Sequence, residues 1–188
     1  MSKKKSRSLN PWKTKSSKVV YKNPWIKVRE DKVIRPDGKE GIYGVIDKQD
    51  GIGIVVLDNK NRVYLAGQWR YLTGQYTLSI IGGTRENGET PLASAKRELL
   101  EEVSLVADDW EHLITFYPSI EVFNEKFYIF LARGLSKAKS IRDSAEDVSA
   151  KKVEFKKAIN MIKKGKMVDG VGIIGLLIAK ERLENENK

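Results

Sequence analysis

The segment from residue 82 to residue 105, GGTRENGETPLASAKRELLEEVSL, constrains the fold more than any other part of the chain. Before it, runs of β-branched and aromatic residues indicate strands, and a glycine pair ends the last of them. After the glycines, the apolar residues recur with a period of about 3.6. Thr90 is a suitable N-cap and Pro91 suits the first helical position, so we predict a helix that ends at about Val103. The segment therefore predicts a strand, a loop and a helix in succession.

Three carboxylates crowd one face of this predicted helix, those of Glu98, Glu101 and Glu102. Like charges at i and i+4 repel each other, and the helix dipole disfavours anions in the second half of a helix. A solvated acidic face is one interpretation. A metal site is the other, because Mg²⁺ or Mn²⁺ takes carboxylate oxygens and leaves positions for water and phosphate. Arg97 can reach Glu101 one turn later, which would leave the other two carboxylates for a metal.

Composition excludes several kinds of site. The 188 residues, 40% of them apolar, suffice for one domain with a substantial core. The chain has no cysteine and a single histidine, His112, which excludes thiolate catalysis, cysteine-bound zinc and two-histidine metal motifs. We expect His112 to be structural. Without a long apolar run or a signal peptide, the protein is expected to be soluble and cytoplasmic, with no membrane partner.

The net charge of +10 is concentrated at the N-terminus. Residues 1–18 contain seven lysines and arginines and no acidic residue. Such a segment is typical of a solvated, flexible arm, and weak attraction for RNA or another anion is the alternative. We therefore predict a flexible basic leader at residues 1–18.

The spacing within the central segment resembles the Nudix box, Gx5Ex7REUxEExGU, in which U is aliphatic. Gly83 is followed after five residues by Glu89 and after seven more by the sequence RELLEE, which begins at Arg97. The departure is Ser104, where the family has glycine. That position ends the helix, where a left-handed conformation is common, and serine there costs about 1 kcal/mol.

This resemblance implies an α+β protein with a Nudix-type α/β/α sandwich, in which a mixed β-sheet lies between helices. Independently of the resemblance, the turn signal Pro36-Asp37-Gly38 between two extended runs predicts an N-terminal antiparallel hairpin region. We assign that region to residues 19–48, expect it to mediate a homodimer, and assign the Nudix hydrolase domain to residues 49–188.

The flanking sequence is similar to the ADP-ribose pyrophosphatase branch of the family, over residues 19–46, Gln68-Trp69-Arg70, residues 115–135 and residues 157–183. The similarity implies Mg²⁺-dependent hydrolysis, with Mn²⁺ as a substitute, of nucleoside diphosphate sugars such as ADP-ribose or GDP-mannose. The products would be a nucleoside monophosphate and a sugar phosphate. Ser79 replaces an acid that this branch often uses near its substrate, so strict specificity for ADP-ribose is not expected.

The resemblance also implies roles for individual residues. The implied metal ligands are Glu98, Glu101, Glu102 and the carbonyl of Gly82. The residues expected to fix the loop and the helix are Gly83, Glu89 and Arg97. The implied substrate contacts are Trp25, Arg70 and Pro118. Core packing is the alternative for Trp25, and a surface salt bridge is the alternative for Arg70.

The loop after Pro118 carries the candidate base. The family's glutamate in this loop corresponds to Glu125, for which the alternative is an exposed loop carboxylate. Ile120 and Glu121 replace the family's proline and glycine, so Glu121 is a rival for the role. Glu101 is a further catalytic candidate.

Two other functions fit parts of the sequence. The basic leader suggests an RNA 5′-pyrophosphohydrolase, which is not favoured. A Nudix-like domain that senses a nucleotide sugar without cleaving it could dispense with the acidic residues, so the complete set argues against it. The sequence does not identify the preferred base or sugar.

Overall fold

The computed structural model describes residues 10–139 and 149–186, which form two compact units. The first contains the described residues up to Gln49 together with Ser119–Glu125. The second contains Asp50–Pro118 and the described residues from Lys126 onward. The predicted domains followed the chain without interruption, whereas here seven residues from the middle of the sequence join the N-terminal unit.

The first unit is a three-stranded antiparallel sheet in the order β1-β2-β3. Its strands are β1 (Lys13–Lys22), β2 (Lys27–Ile34) and β3 (Glu40–Asp47). The turn between β2 and β3 contains the predicted Pro-Asp-Gly sequence, and Gly38 N–H donates to the Arg35 carbonyl at 2.9 Å. Gly38 has a φ of +83°, a value that glycine adopts without strain. The predicted hairpin is therefore present.

Strand β1 overlaps the flexible leader that the sequence predicted at residues 1–18. Residues 1–9 lie outside the described residues, but residues 13–18 are extended and pair with β2, with Lys13 opposite Ile34 and Lys18 opposite Glu30. All ten residues of β1 are exposed, so its lysines keep their hydration while the backbone forms the sheet ladder. Lys15 also pairs with Glu40 at 2.5 Å. The prediction of a flexible arm is wrong for residues 13–18, because charge patterning does not register backbone pairing.

The second unit is built on a six-stranded sheet in the order β6-β5-β4-β8-β7, with β9 paired to β5. Its strands are β4 (Gly51–Leu57), β5 (Arg62–Arg70), β6 (Gln75–Ile80), β7 (Leu105–Phe116), β8 (Phe127–Lys137) and β9 (Ser149–Glu154). Its helices are α1 (Pro91–Val103), α2 (Phe155–Lys163) and α3 (Gly170–Glu186). Strands β4 and β8 run parallel and the other pairs are antiparallel, so the sheet is mixed.

Strand β4 is buried at all seven residues, as expected for a strand covered by helices on both sides. Its even-numbered side chains pack in one core with Ala95 and Leu99 of α1. Its odd-numbered side chains, Val55 and Leu57, pack in a second core with α2 and α3. The predicted α/β/α sandwich is confirmed. No helix in the described ranges is long and apolar enough to span a membrane.

Both ends of α1 follow the sequence prediction. The Thr90 hydroxyl accepts a hydrogen bond from Ala93 N–H at 3.2 Å and caps the N-terminus. Ser104 takes the left-handed conformation, with φ 54° and ψ 42°, and its N–H donates to the Leu100 carbonyl at 3.0 Å. The helix therefore ends where a glycine is favoured, and a non-glycine residue there costs about 1 kcal/mol.

Candidate active site

The loop that precedes α1 starts against strand β4. Ile52 N–H donates to the Gly83 carbonyl at 2.8 Å, and Ile54 N–H donates to the Ile81 carbonyl at 2.7 Å. A Cβ added to Gly82 would collide with the Ile52 carbonyl, and one added to Gly83 would collide with the Glu98 carboxylate. The glycine pair therefore allows the chain to lie close to both β4 and an acidic residue of α1.

Arg97 connects this loop to the acidic face of α1. Its guanidinium donates to Glu89 Oε1 at 3.2 Å, to Glu98 Oε1 at 2.9 Å and to Glu101 Oε2 at 2.9 Å. It also donates to the Thr84 carbonyl at 3.0 Å. The predicted contact with Glu101 is present. The same Nη1 atom that binds Glu101 also donates to Glu98, a contact that helical spacing did not predict, and metal binding by Glu98 stays a prediction.

Glu89 is held ionised by its neighbours. Its Oε2 accepts the Ser94 hydroxyl at 2.5 Å, and its carboxylate also accepts from Arg97. The Ser94 hydrogen bond, and secondly the Arg97 guanidinium, lower the pKa of Glu89 below its ordinary value. A carboxyl with a lowered folded-state pKa stabilises the fold above its unfolded pKa, and this contribution is lost as pH falls through the folded value. At neutral pH the loop anchor is therefore fully charged.

The acidic set of α1 has the chemistry of a hard-cation site. Glu98 is 9% exposed, and Glu101 and Glu102 are partly buried. Carboxylate and carbonyl oxygens are the donors that Mg²⁺ prefers, and the missing Cβ of Gly83 leaves room beside the Glu98 carboxylate. Within residues 10–139 and 149–186, no three acidic or histidine side chains are gathered closely enough to chelate an ion. A cation at Glu98 would therefore replace or accompany Arg97.

Glu125 and Glu121 belong to the first unit, and they differ sharply in environment. Glu125 is 6% exposed, and the Lys48 ammonium donates to its two oxygens at 2.9 and 3.0 Å. Glu121 is exposed. The alternative of an exposed loop carboxylate is therefore wrong for Glu125 and describes Glu121 instead.

The segment that carries Glu125 is tied to the end of β3 within the first unit. Ile46 N–H donates to the Val122 carbonyl, and Lys48 N–H donates to Asn124 Oδ1, each at 2.9 Å. Asn124 also donates to Asp47 Oδ1 at 2.9 Å. Backbone and side-chain contacts together fix the segment.

The predicted substrate contacts are all exposed. Trp25 is 78% exposed in the β1–β2 turn, so the core-packing alternative is wrong. Its backbone N–H donates to Asn23 Oδ1 at 2.9 Å. Arg70 lies at the exposed end of β5, and no ion pair joins it to another residue in the described part of the chain. Pro118 is also exposed.

His112 has contacts that suit a structural residue. Its Nε2 lies 2.9 Å from the Thr115 hydroxyl. Its ring centroid lies 5.4 Å from that of Phe130, edge to face. The contact with Thr115 lies within β7, and the contact with Phe130 joins β7 to the neighbouring strand β8.

Ser79 is part of a helix cap. Its hydroxyl donates to Asp169 Oδ2 at 2.5 Å, and the same oxygen accepts from Gly172 N–H at 2.7 Å. Asp169 therefore caps the start of α3 while it binds β6. An acid in place of Ser79 would face the Asp169 carboxylate, whereas the hydroxyl can donate a hydrogen bond to it.

Several residues that shape these segments escaped the sequence analysis, namely Lys48, Asp50, Arg85 and Asp169. Each makes a contact between parts of the chain that are distant in sequence. Asp50 and Arg85, for example, are 35 residues apart. None of them belongs to a spaced pattern. Their charge was the only available signal, and many surface residues share it.

Comparison with protein families decides where the chain belongs. The family model described as the NUDIX domain matches residues 47–170. The chain belongs to the Nudix family. A second model, described as the nucleoside diphosphate sugar hydrolase N-terminal domain, matches residues 12–46 of this Nudix hydrolase. The predicted family and branch are both confirmed.

Individual relatives cover most of the chain at low identity. The methanol dehydrogenase activator of Bacillus methanolicus is 25% identical over 166 residues, which are 87% of this chain and 90% of the relative. The ADP-ribose pyrophosphatase of Mycobacterium tuberculosis is 25% identical over 169 residues, and the match covers 88% of this chain and 82% of the relative. The Bacillus subtilis ADP-ribose pyrophosphatase is 24% identical over 159 residues, and the match covers 84% of this chain and 86% of the relative.

A solved structure shows the same fold. The crystal structure of an ADP compounds hydrolase superposes with a TM-score of 0.84 at 18% identity, and the match covers 96% of this chain and 98% of the other. This likeness establishes the architecture of the Nudix hydrolase.

Proposed function

We propose that this Nudix hydrolase cleaves the pyrophosphate bond of nucleoside diphosphate sugars, such as ADP-ribose or GDP-mannose, with Mg²⁺ as cofactor. The products are a nucleoside monophosphate and a sugar phosphate. The observation that carries the proposal is the complete acidic set of α1, fixed to its loop by the four contacts of Arg97. The match to a nucleoside diphosphate sugar hydrolase N-terminal domain supports the choice of substrate class.

In this proposal the metal is held by Glu98, Glu101, Glu102 and the carbonyl of Gly82, and Mn²⁺ substitutes for Mg²⁺. A bound divalent ion screens pyrophosphate charge and lowers the pKa of a coordinated water. Arg97 positions the acidic helix against the loop, and Glu89 keeps Arg97 in place through its own ionised carboxylate. The chain thus supplies an acidic helix face that is fixed to its loop, on which a cation at Glu98 would replace or accompany Arg97.

Residues of the first unit also have proposed roles. Glu125 is the candidate base, and Lys48 already holds its carboxylate in one orientation. The exposed Glu121 is the weaker candidate. Trp25 offers a flat apolar surface on which a nucleobase can stack.

Two residues of the second unit are proposed substrate contacts. The guanidinium of Arg70 can engage two phosphate oxygens at once. Pro118 contributes to the substrate-binding loop. The Ser79 hydroxyl leaves no carboxylate at its position, so we propose a substrate range broader than ADP-ribose.

A substrate panel tests the proposed function. The full-length protein is incubated with ADP-ribose, ADP-glucose, GDP-mannose and UDP-sugars, with Mg²⁺ or with EDTA. We expect chromatography to show release of a nucleoside monophosphate from at least one substrate with Mg²⁺ and from none with EDTA. No release from any compound would contradict the proposal. Phosphate release from 5′-triphosphorylated RNA, in a parallel reaction, would favour the RNA alternative.

The first unit also supports a proposal about assembly. Strand β1 lies at the edge of its sheet, and ten exposed residues run along it. Val19, Val20 and Tyr21 are each more than half exposed, and Ile42 is 69% exposed. Exposed apolar side chains beside an unpaired strand edge are typical of an association surface. We propose that this sheet forms a homodimer with a second copy of the chain.

Light scattering after size-exclusion chromatography tests the dimer. We expect a mass of twice the 21.3 kDa of one chain. Val20→Lys should shift the population toward monomer, because it places a charge in the buried interface. Leu72→Lys is the matched control, since Leu72 is 94% exposed in the second unit. A wild-type protein that is monomeric at micromolar concentration would exclude the dimer.

A further inference from the structure

Asp50 lies immediately before strand β4, and its two carboxylate oxygens bind different segments of the second unit. Oδ2 accepts from Arg85 Nε at 3.2 Å and from Arg85 Nη2 at 3.0 Å. Oδ1 accepts from Lys126 N–H at 3.1 Å. The side chain is only 16% exposed, so both contacts are shielded from water. One carboxylate therefore connects residues that are 41 positions apart in the sequence, 85 and 126.

The Arg85 side of this connection fixes the loop before α1. Arg85 N–H donates to the Asp50 carbonyl at 2.8 Å, and its Nη1 donates to the Glu89 carbonyl at 3.0 Å. Glu89 in turn binds Arg97 through its side chain. Asp50 and Arg85 thus anchor to β4 the same loop that Arg97 anchors to the acidic helix.

The Lys126 side of the connection fixes the backbone that follows Glu125. Besides the contact of Lys126 N–H with Asp50, the Lys126 carbonyl accepts from Gly51 N–H at 2.8 Å. Lys126 is the residue directly after the candidate base. Its N–H and carbonyl groups are therefore both fixed beside the start of β4.

We propose that Asp50 is a positioning residue for the hydrolytic reaction, which holds the loop before α1 and the backbone after Glu125 in a fixed relation. The inference rests on the proposed function. A bidentate contact between a guanidinium and a carboxylate restricts both distance and orientation. Asparagine at this position has one acceptor oxygen instead of two, so its side chain can keep only one of the two contacts, while the backbone hydrogen bonds of Arg85 and Lys126 remain. Outer residues that orient metal ligands typically contribute about 10–100-fold to metal affinity or activity.

The other end of β4 provides a matched control. Asp58 Oδ1 accepts from the N–H groups of Lys60 and Arg62, at 2.9 and 3.0 Å. Its Oδ2 accepts from Arg62 Nε at 2.9 Å and lies 2.7 Å from Arg62 Nη2. Asp58 therefore makes the same kinds of contact as Asp50, with one oxygen on backbone and one on an arginine, but in a turn far along the strand.

The experiment compares Asp50→Asn with Asp58→Asn in the full-length protein. Melting temperature, kcat and KM are measured with the best substrate of the panel, and Mn²⁺ affinity is measured by calorimetry without substrate. We expect both variants to lose similar thermal stability. We expect only Asp50→Asn to lose about 10–100-fold in kcat/KM, mainly in kcat, or in Mn²⁺ affinity. Asp58→Asn should keep the wild-type values of both.

Arg85 tests the same connection from its other partner. Arg85→Met should reproduce the Asp50→Asn loss, and combining the two substitutions should add little, because both break one interaction. If Asp50→Asn does not fold, Arg85→Met and Arg85→Lys replace it, and the lysine variant should recover part of the activity. Equal activity and equal Mn²⁺ affinity in Asp50→Asn and Asp58→Asn would overturn the inference.

Failure of the proposed function has a different signature. A wild-type protein that binds Mn²⁺ but releases no product refutes the substrate assignment, while the Mn²⁺ affinities of the two asparagine variants still decide the role of Asp50. A wild-type protein that neither binds Mn²⁺ nor hydrolyses any substrate overturns both.

Discussion

Glu102→Gln is expected to reduce kcat by about 10²–10³-fold while leaving the fold intact. The substitution keeps the size of the side chain and removes one negative charge from the acidic set of α1. Electrostatic stabilisation by a bound metal is worth several kcal/mol in the transition state, and each 1.36 kcal/mol is a factor of ten in rate. A site that holds its cation less well should lose most of that contribution. Circular dichroism and melting temperature report whether the fold is retained.

The control for this substitution is Glu86→Gln. Glu86 is an exposed acid in the loop before α1, and it differs from Glu102 in being outside the proposed metal set. Its conversion to glutamine should leave kcat unchanged. Turnover is measured at saturating substrate over a range of Mg²⁺ concentrations, so that weaker metal binding and slower chemistry can be separated. Wild-type turnover by Glu102→Gln at every Mg²⁺ concentration would exclude Glu102 as a metal ligand.

Arg97→Met is expected to lower both stability and activity. The Arg97 side chain is 23% exposed and binds three carboxylates, and these neighbours raise its pKa above the ordinary arginine value despite the opposing effect of burial. Without the guanidinium, the poorly hydrated Glu98 carboxylate would repel Glu101. Removing one partner of a buried ion pair costs about 3–5 kcal/mol, and partial exposure reduces this to about 2–3 kcal/mol.

Thermal unfolding measures the effect of Arg97→Met. In a chain of this size, 1 kcal/mol corresponds to about 2–4 °C in melting temperature, so we expect a decrease of about 5–10 °C. Arg133→Met is the control. Arg133 binds two carboxylates, those of Asp109 and Glu186, but these ion pairs lie at the surface. It should cost at most about 1 kcal/mol. Equal melting temperatures for the two variants would show that the Arg97 network adds no special stability.

The helical part of the site was predictable because its signals are local. Thr90 and Pro91 mark the start of α1, the spacing of the glutamates defines one helix face, and Ser104 marks the end. Each of these features depends on residues within about one turn of each other. The mixed sheet between helices followed from the resemblance, but the strand order around β4 was not predicted, because the parallel pairing of β4 with β8 joins distant segments.

The errors arose where distant segments meet. The lysines of residues 13–18 indicate an arm by composition, but pairing with β2 makes them a strand. Arg97 was assigned one carboxylate by helical spacing, but it also binds Glu98, the next residue of α1, and Glu89 in the preceding loop. The buried carboxylate of Glu125 is bound by Lys48, which is 77 residues away. Contacts of this kind depend on tertiary structure, which spacing along one chain does not contain.

The first unit is built from two separated stretches of the sequence, which limits how it can be exchanged between relatives. The two family models divide the chain between residues 46 and 47, but the unit also includes Ser119–Glu125, and Ile46 pairs with Phe123. A chimera that imports only residues 12–46 would combine the sheet of one protein with residues 119–125 of another. Residues 12–46 and 119–125 should therefore be exchanged together in a chimera. Substitutions in these two separated stretches are expected to be correlated among relatives.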